Sequence, residues 1–366
     1  MRPGGNPDRM QTKTTYITAA LAAALLTALA GACGGSAPKS GVAGARTTIT
    51  SSTTGSPSTL VGAGSTLVAP LLTKWQGEYS SAHGVTITYG AIGSGGGIQA
   101  ITDRTVDFGA SDAPLTTDQA AACKGCVQLP WALAATTLSY NLPGLAKPLR
   151  LSGPVIEGMF TGTITHWNDP QVAKLNPGVQ LPSTAVNPVW RNDASGDTYA
   201  FSSYLSAVSP AFKQRYGAST SINWQAGFGE KGNSGVAEGI LQTPGAIGYV
   251  AIGQAVGSKL HYASIENAAG RFVRPSTGSI AAAATTAKFA SDNSASIVNA
   301  PASATNAYPI STFTYVIVRK SSSKLAGIQK FIDYAVTTGQ QDAMDLEFAP
   351  LPKRVAAKDR SIVRGL

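Results

Sequence analysis

The chain has 366 residues, enough for two ordinary domains, and is 43% hydrophobic and only 13% charged. This balance predicts a packed globular core, and 40 glycines with 21 prolines argue against a helical bundle. The formal net charge of +9 suits an anionic ligand or an acidic surface. The basic residues are dispersed and form no nucleic-acid-binding motif, so nucleic acid is not expected as a partner.

Residues 1–32 have the layout of a secretory signal peptide. Three basic residues open it: Arg2, Arg9 and Lys13. The uncharged apolar stretch 17–30 is shorter than the roughly 20 residues that a membrane span needs, and small residues then lead to Cys33. This arrangement resembles a bacterial lipobox, in which the cysteine is lipidated, although Ala30 stands where the usual box has leucine. We predict lipidation of Cys33; an ordinary signal peptide with a chance cysteine is the alternative.

The segment that follows, 33–57, is rich in Gly, Ser, Thr and Ala. It has too few bulky residues to fold, so a flexible tether is expected. The protein is therefore predicted to be exported and held by lipid on the outer face of the cytoplasmic membrane. Without its signal peptide the chain keeps a net charge near +7.

Cys123 and Cys126 form a C-x-x-C pair. In an exported protein this spacing favours a structural disulfide over a redox or metal site. The chain has three histidines, none at metal-ligand spacing, so no metal is expected.

Strands, glycine-rich loops and helices alternate from Thr59 onwards. The predicted elements are a strand at 59–61, a glycine loop at 62–66, a helix over 67–79, a strand over 85–89, a sharp loop at 93–97, a helix over 98–103 and a strand over 106–110. This rhythm is typical of an α/β domain with a largely parallel sheet.

The later part of the chain continues the alternation. We predict an apolar strand at 186–190, a loop at 191–198, a helix over 199–205, a turn at 231–235, a strand over 312–318 and a helix over 325–335 that Gly339 is placed to end. Ligands of α/β sheets bind where strands end and helices begin, so the loops at 62–66, 93–97, 111–114 and 191–198 are the candidate site.

These loops offer what a desolvated phosphate requires. Its oxygens need many hydrogen-bond donors, which glycine-rich turns, helix N-termini, hydroxyls and one arginine fork supply. The candidate donors are Ser65, Thr66, Leu67, Ser94, Arg191, Ser195 and Gly196. Leu67 would act through its backbone amide, which leaves its side chain free to vary.

Asp112 is the exception among these donors, because a carboxylate repels an anion. It is tolerated if it accepts the proton of a phosphate. Sulfate has no such proton at neutral pH and would leave a buried acceptor unpaired. An aspartate in a donor-rich site is therefore what selection of phosphate over sulfate requires.

Long motifs carry a family resemblance: GAGSTLVAPLLTKW at 62–75, GSGGG at 93–97, TVDFGASDAPL at 105–115, GTITHWNDPQVAKLNPG at 162–178, WRNDASGD at 190–197, KGNSGV at 231–236 and TPGAIGYV at 243–250. The chain resembles the phosphate-binding proteins of Pst ABC importers over about residues 59–355. The resemblance implies a non-enzymatic, monomeric binding protein without a cofactor. It would serve a permease with its ATPase.

The resemblance also implies ligand contacts at Thr66, Leu67, Ser94, Asp112, Arg191, Ser195 and Gly196, with Asp193 bracing the arginine. Two positions depart from the family. Ala194 replaces a glycine, which would be strained if φ is positive there. Asp197 replaces the usual threonine; it either faces the ligand as a second acceptor or caps the following helix.

The fold that the resemblance implies is α/β, a two-lobed periplasmic-binding-protein type II fold. Each lobe would be a mainly parallel sheet flanked by helices, with two crossover hinge segments. Lobe I would comprise 58–137 plus 308–366, and lobe II 138–307. Three rival functions stay open: a secreted phosphatase using Ser195, a binding protein for another oxyanion such as sulfate, and a surface adhesin with a vestigial pocket.

Overall fold

The computed structural model describes residues 59–145 and 148–366, so the predicted signal peptide, Cys33 and the tether lie outside it. The described strands are β1 Thr59–Gly64, β2 Thr86–Ala91, β3 Phe108–Ser111, β4 Cys126–Tyr140, β5 Arg150–Leu151, β6 Asn187–Arg191, β7 Phe228–Glu230, β8 Ala246–Ala251, β9 His261–Tyr262, β10 Ser264–Glu266, β11 Phe272–Val273 and β12 Ser311–Arg319.

The helices of the same residues alternate with these strands. They are α1 Ala69–His83, α2 Ser94–Thr102, α3 Thr117–Cys123, α4 Gly153–Thr161, α5 Pro170–Leu175, α6 Gly196–Val208, α7 Pro210–Arg215, α8 Gly232–Gln242, α9 Ile252–Gly257, α10 Thr277–Ala284, α11 Leu325–Ala335 and α12 Lys353–Arg364. Two short 3-10 helices, Thr338–Asp342 and Met344–Leu346, follow α11.

A nine-stranded sheet in the order β2-β1-β3-β12-β4-β8-β6-β7, with β9 on β4, runs through the molecule. Its two ends are parallel: β1 pairs in parallel with β2 and β3, and β6 pairs in parallel with β7 and β8. In the middle of the sheet, β12 is antiparallel to β3 and β4, and β4 is antiparallel to β8. A separate three-stranded sheet has the order β11-β10-β5.

Strand β4 joins the two parallel ends of the large sheet. Its first part, as far as Ala135, pairs with β12, and its last part, from Thr136, pairs with β8. Each parallel end packs against its own helices: α1 and α2 lie against β1–β3, and α8 lies against β6 and β8. The carboxyl ends of both sets of parallel strands lead into the candidate loops.

Periodicity predicted the amphipathic helices well. Helix α1 buries Leu71, Leu72, Trp75 and Tyr79, and α11 buries Ile328, Phe331, Ile332 and Ala335. The predicted strands at 59–61 and 312–318 are confirmed as β1 and β12. The two helices bury one regular face of apolar side chains, which is the pattern that sequence periodicity detects, whereas β12 is buried on both faces.

The glycine run 93–97 is not the loop that we predicted, because α2 begins at Ser94 and takes the glycines into its first turns. The helix packs closely on β1 and β3: a Cβ on Gly97 would lie 2.5 Å from the Cα of Gly64. Close packing of this kind requires glycine, so tertiary contact overrides its low helix propensity.

Two further local predictions are wrong. The predicted turn at 231–235 is instead the start of α8, with Lys231 at the N-cap. Helix α11 ends at Ala335, before Gly339, which lies in a 3-10 helix. The Gly339 carbonyl accepts a hydrogen bond of 2.7 Å from Trp75 Nε1, and a Cβ there would lie 2.6 Å from that nitrogen. Gly339 therefore serves packing against α1 rather than helix termination.

Candidate functional site

The predicted site residues come together in one crevice between the two parallel ends of the sheet. Its first side is formed by Ser65–Leu67 after β1, Ser94 at the start of α2 and Asp112 after β3. Its second side is formed by Arg191–Asp197, between the end of β6 and the first turn of α6, and by Asn233 of α8. We use these two names, the first side and the second side, below.

Asp112 is the centre of the first side and is only 1% exposed. Its Oδ2 accepts hydrogen bonds from Ser65 Oγ at 2.6 Å and Ser94 Oγ at 3.2 Å. Its Oδ1 is buried and has no hydrogen-bond partner among residues 59–145 and 148–366. Burial, aided by the charge of Asp197, raises the pKa of Asp112 to about 7.

Arg191 ends β6 and is held rigidly on the second side. Its Nε donates to Asp193 Oδ1 at 2.7 Å, and its Nη2 donates to Asp193 Oδ2. Burial disfavours both charges, yet the Arg191–Asp193 pair outweighs it: the pKa of Arg191 is raised and the pKa of Asp193 is lowered. The backbone amide of Gly232 adds a hydrogen bond of 3.0 Å to Asp193 Oδ1.

Helix α6 begins at the crevice with Ser195 as its N-cap. Ser195 Oγ accepts from the amides of Asp197 at 3.1 Å and Thr198 at 3.4 Å. The backbone amide of Gly196, the residue directly after Ser195, donates across the crevice to Ser94 Oγ at 3.1 Å. The alternative that Asp197 caps this helix is therefore wrong, because Ser195 occupies the cap and Asp197 lies inside the first turn.

Asp197 differs from Asp112 in having both carboxylate oxygens occupied. Thr136 Oγ1 donates to Oδ1 at 2.7 Å, while Arg191 Nη1 at 3.3 Å and Asn233 Nδ2 at 2.7 Å donate to Oδ2. Burial raises the pKa of Asp197, and these three donors, led by Arg191, oppose the shift. Asp197 is thus anchored by its own side of the crevice and by β4.

Leu67 anchors the first side in the core, and Thr66 links the first side to the second. The amide of Leu67 donates to Ser65 Oγ at 3.0 Å. The Leu67 side chain is buried, so it is not free to vary as we expected. Thr66 Oγ1 accepts from Asn233 Nδ2 at 2.9 Å, which links the two sides directly.

Ala194 forms a close contact across the crevice instead of a strained turn. It is not one of the non-glycine residues with positive φ in the described chain, so the expected strain does not arise. Its carbonyl accepts from the amide of Gly95 at 3.0 Å. A Cβ on Gly95 would lie 2.3 Å from the Cβ of Ala194, so the glycine in α2 makes room for this alanine.

Sequence reasoning missed Thr136 and Asn233 as site residues. Thr136 lies in β4, where the sequence gives no sign of a crevice. Asn233 belongs to the quoted motif KGNSGV, which we interpreted as a turn; the motif itself was the available signal.

Outside the crevice, Cys123 and Cys126 are joined by a disulfide between α3 and β4. The described part of the chain has no group of three or more His, Cys, Asp or Glu side chains that could hold a metal ion. Within those same residues, no helix is long and apolar enough to cross a membrane.

Comparisons with known proteins agree with this geometry. Residues 49–338 match the family described as PBP superfamily domain. The phosphate-binding protein PstS of Xylella fastidiosa (strain 9a5c) is 39% identical over 295 residues, covering 80% of this chain and 81% of that protein. PstS of Pasteurella multocida (strain Pm70) is 37% identical over 304 residues, covering 82% and 88%.

A solved structure shows the same fold. The phosphate-binding protein of Stenotrophomonas maltophilia superposes with a TM-score of 0.65 at 19% identity, covering 83% of this chain and 93% of that one. The fold is the predicted α/β fold of periplasmic binding proteins, with helices around a central sheet that is parallel at both ends. From its sequence and its fold, the chain belongs to the PstS family of phosphate-binding proteins.

Proposed function

We propose that this protein captures inorganic phosphate in the crevice and delivers it to the permease of an ABC importer. The observation that carries the proposal is Oδ1 of Asp112, a buried acceptor without a partner among residues 59–145 and 148–366, beside the hydroxyls of Ser65 and Ser94. A buried acceptor without a partner is costly, about 1–3 kcal/mol. A ligand that brings its own proton removes this cost, and hydrogen phosphate is such a ligand.

The same oxygen supports phosphate over sulfate. Fully ionised sulfate would place an oxygen against Asp112 Oδ1, so its binding would combine repulsion with an unpaired acceptor. The positive charge of Arg191 is offset by Asp193 and Asp197, so attraction by net charge cannot select the anion. The choice between phosphate and sulfate must therefore depend on which groups of the site donate hydrogen bonds and which accept them.

We also propose that closure of two lobes traps the ligand. Lobe I would be residues 58–137 plus 308–366 and lobe II residues 138–307, with the crossovers in β4 and before β12. The bonds from Gly196 N to Ser94 Oγ and from Gly95 N to Ala194 O join the two sides, which supports a hinge that closes on bound phosphate. The permease would recognise the closed form.

The cellular context is part of the proposal. The protein would act as an exported monomer, anchored by lipid at Cys33 to the outer face of the cytoplasmic membrane through the tether 33–57. Changing Cys33 to alanine should move the protein from the membrane fraction to the soluble fraction of expressing cells. An unchanged distribution would contradict the anchor without touching phosphate binding.

A phosphatase is not favoured by the environment of Ser195. Its hydroxyl is buried and caps α6, whereas His83, His166 and His261 all lie at exposed positions. A serine nucleophile needs a general base within hydrogen-bond reach, and histidine does not supply one here. The PstS family consists of solute-binding proteins rather than enzymes.

Calorimetric titration of the ligand-stripped protein with phosphate and then sulfate tests the proposal. We expect one phosphate to bind tightly per chain and sulfate to give no heat of binding at about pH 8, where Asp112 is ionised. Absence of phosphate binding, or equal affinity for sulfate, would contradict it.

A further inference from the structure

Asn233 connects the two sides of the crevice and is only 2% exposed. Its Oδ1 accepts a hydrogen bond of 2.8 Å from the backbone amide of Ala251. Because a backbone amide can only donate, this contact fixes which end of the side-chain amide is oxygen. The Nδ2 group must therefore face the crevice, where it donates to Thr66 and Asp197.

The contact with Thr66 determines the role of that hydroxyl. A threonine hydroxyl has one hydrogen and two lone pairs. Since Oγ1 of Thr66 accepts from Asn233 at 2.9 Å, its own hydrogen must point elsewhere. This leaves the hydroxyl hydrogen of Thr66 available for donation to an anion in the crevice.

The contact with Asp197 has the opposite consequence for that carboxylate. Asn233 and Arg191 both donate to Oδ2, and Thr136 donates to Oδ1. Asp197 is therefore held as a counter-charge for Arg191. Asp112 Oδ1 remains the carboxylate oxygen of the described crevice that has no partner.

We propose that Asn233 is a positioning residue that sets which groups of the crevice donate hydrogen bonds and which accept them. It makes the Thr66 hydroxyl a donor and keeps the Asp197 carboxylate bonded to Arg191. Asp112 is then the one carboxylate of the described crevice that can accept the proton of the ligand. This inference rests on the proposed function. The preferred ligand is then a tetrahedral oxyanion with one proton, such as monohydrogen phosphate. The doubly protonated form would need a second free acceptor.

The test is the pH dependence of phosphate affinity. Any titratable group that faces the crevice could contribute to this dependence, and these groups are Asp112, Arg191, Asp193, Asp197, Tyr89 and Tyr249. Burial raises the pKa of both tyrosines, so these phenols stay neutral across the range used. The aspartates and Arg191 are unchanged in Asn233→Ala, so a difference in pH profile between this variant and the wild type reports on Asn233. Asn233→Asp adds a carboxyl of its own beside Asp197 and is compared with Asn233→Ala.

The experiment measures phosphate affinity from about pH 5.5 to about pH 8 for the wild type, Asn233→Ala and Asn233→Asp. The aspartate variant keeps the shape of the side chain and an acceptor for the Ala251 amide. Asn187→Ala is the matched control, because Asn187 begins β6 at the strand end opposite Arg191 and its side chain donates to the Pro244 carbonyl at 3.0 Å. Melting curves show which variants are folded.

We expect the phosphate affinity of the wild type and of Asn187→Ala to fall steeply as pH drops. Asn233→Ala should bind phosphate about tenfold or more weakly at about pH 8, with a flatter profile, because Asp197 Oδ2 loses the Asn233 donor and can accept a second ligand proton while Arg191 and Thr136 still hold the carboxylate. If the wild type binds phosphate and both folded Asn233 variants keep its pH profile, the inference is overturned while the proposed function stands. If the wild type binds no phosphate, both fail.

Discussion

The two sides of the crevice handle charge in different ways. The second side pairs one guanidinium with two carboxylates, Asp193 and Asp197, and every oxygen of these carboxylates accepts a hydrogen bond from the protein. The first side has one carboxylate, Asp112; within residues 59–145 and 148–366 its donors are the Ser65 and Ser94 hydroxyls, and its Oδ1 has no partner. Changes on the second side should therefore cost stability and affinity together, whereas changes on the first side should alter which anion is chosen.

The largest effect is expected from Arg191→Met. It would leave Asp193 and buried Asp197 without their counter-charge, which destabilises by about 3–5 kcal/mol in comparable buried pairs. Phosphate affinity should also fall by about a hundredfold or more, since the charged donor is lost. Denaturant unfolding and calorimetry measure the two effects. Arg271→Met, at an exposed position, should change neither; near-normal phosphate affinity in Arg191→Met would contradict the assignment.

Contact between the two sides can be broken with one methyl group. A Cβ on Gly196 would lie 2.4 Å from both Cβ and Oδ2 of Asp112, so Gly196→Ala must push the sides apart. Phosphate affinity should fall by about ten- to a hundredfold, with a larger radius of gyration in X-ray scattering. Gly77→Ala, in an open position of α1, is the control and should keep full affinity. Unchanged affinity in Gly196→Ala would show that closure is not required.

A third buried carboxylate, Asp359 of α12, sharpens the comparison because it lies outside the crevice. Neither of its oxygens has a hydrogen-bond partner in the described chain, and burial raises its pKa to about 8. Since its ordinary pKa is about 3.9, the folded state binds an extra proton between these values, and stability should decline as pH rises from about 4 to about 8.

Asp359→Leu should therefore raise the free energy of unfolding by about 1–3 kcal/mol at about pH 8 and by less at about pH 5. Thermal unfolding at both pH values measures this, with Asp345→Leu at an exposed position as the control. Phosphate affinity should not change. A stability loss that is the same at both pH values would show that Asp359 is a needed structural acid.

The smallest expected effect concerns sulfate at acid pH. Because the pKa of Asp112 is raised to about 7, this residue is ionised at higher pH and protonated below. A protonated Asp112 can donate to a sulfate oxygen, so sulfate affinity should rise about tenfold or more between about pH 8 and about pH 5.5. Competition against labelled phosphate measures it. Sulfate affinity that does not change with pH would count against Asp112 as the selecting group.

The sequence was sufficient for the two amphipathic helices, for strand β12 and for most residues of the crevice. Helices α1 and α11 have a periodic apolar face, and β12 is a run of β-branched and aromatic residues that is buried on both faces. The motifs around Asp112 and Arg191 identified the crevice residues. Their chemistry is local, so neighbouring residues reveal it.

The rest depends on contacts between distant parts of the chain. Thr136 bonds Asp197 across 61 positions and Asn233 bonds Thr66 across 167, which no periodic pattern encodes. The glycines of α2 were mistaken for a loop because their propensity is poor and the surface that requires them, around Gly64, is far away in sequence. The sequence could not decide whether Asp197 faces the ligand or caps α6, because its partners Thr136 and Asn233 lie far away in the chain.

The most direct test of the account is the ratio of phosphate to sulfate affinity in Asp112→Asn, measured by calorimetry at about pH 8. Asparagine keeps the shape of the side chain but removes its charge and can present a donor. We expect phosphate affinity to fall about a hundredfold and sulfate affinity to rise, so that the two come within about tenfold of each other. A variant that still binds phosphate tightly and still excludes sulfate would contradict the central claim that Asp112 accepts the proton of the bound phosphate.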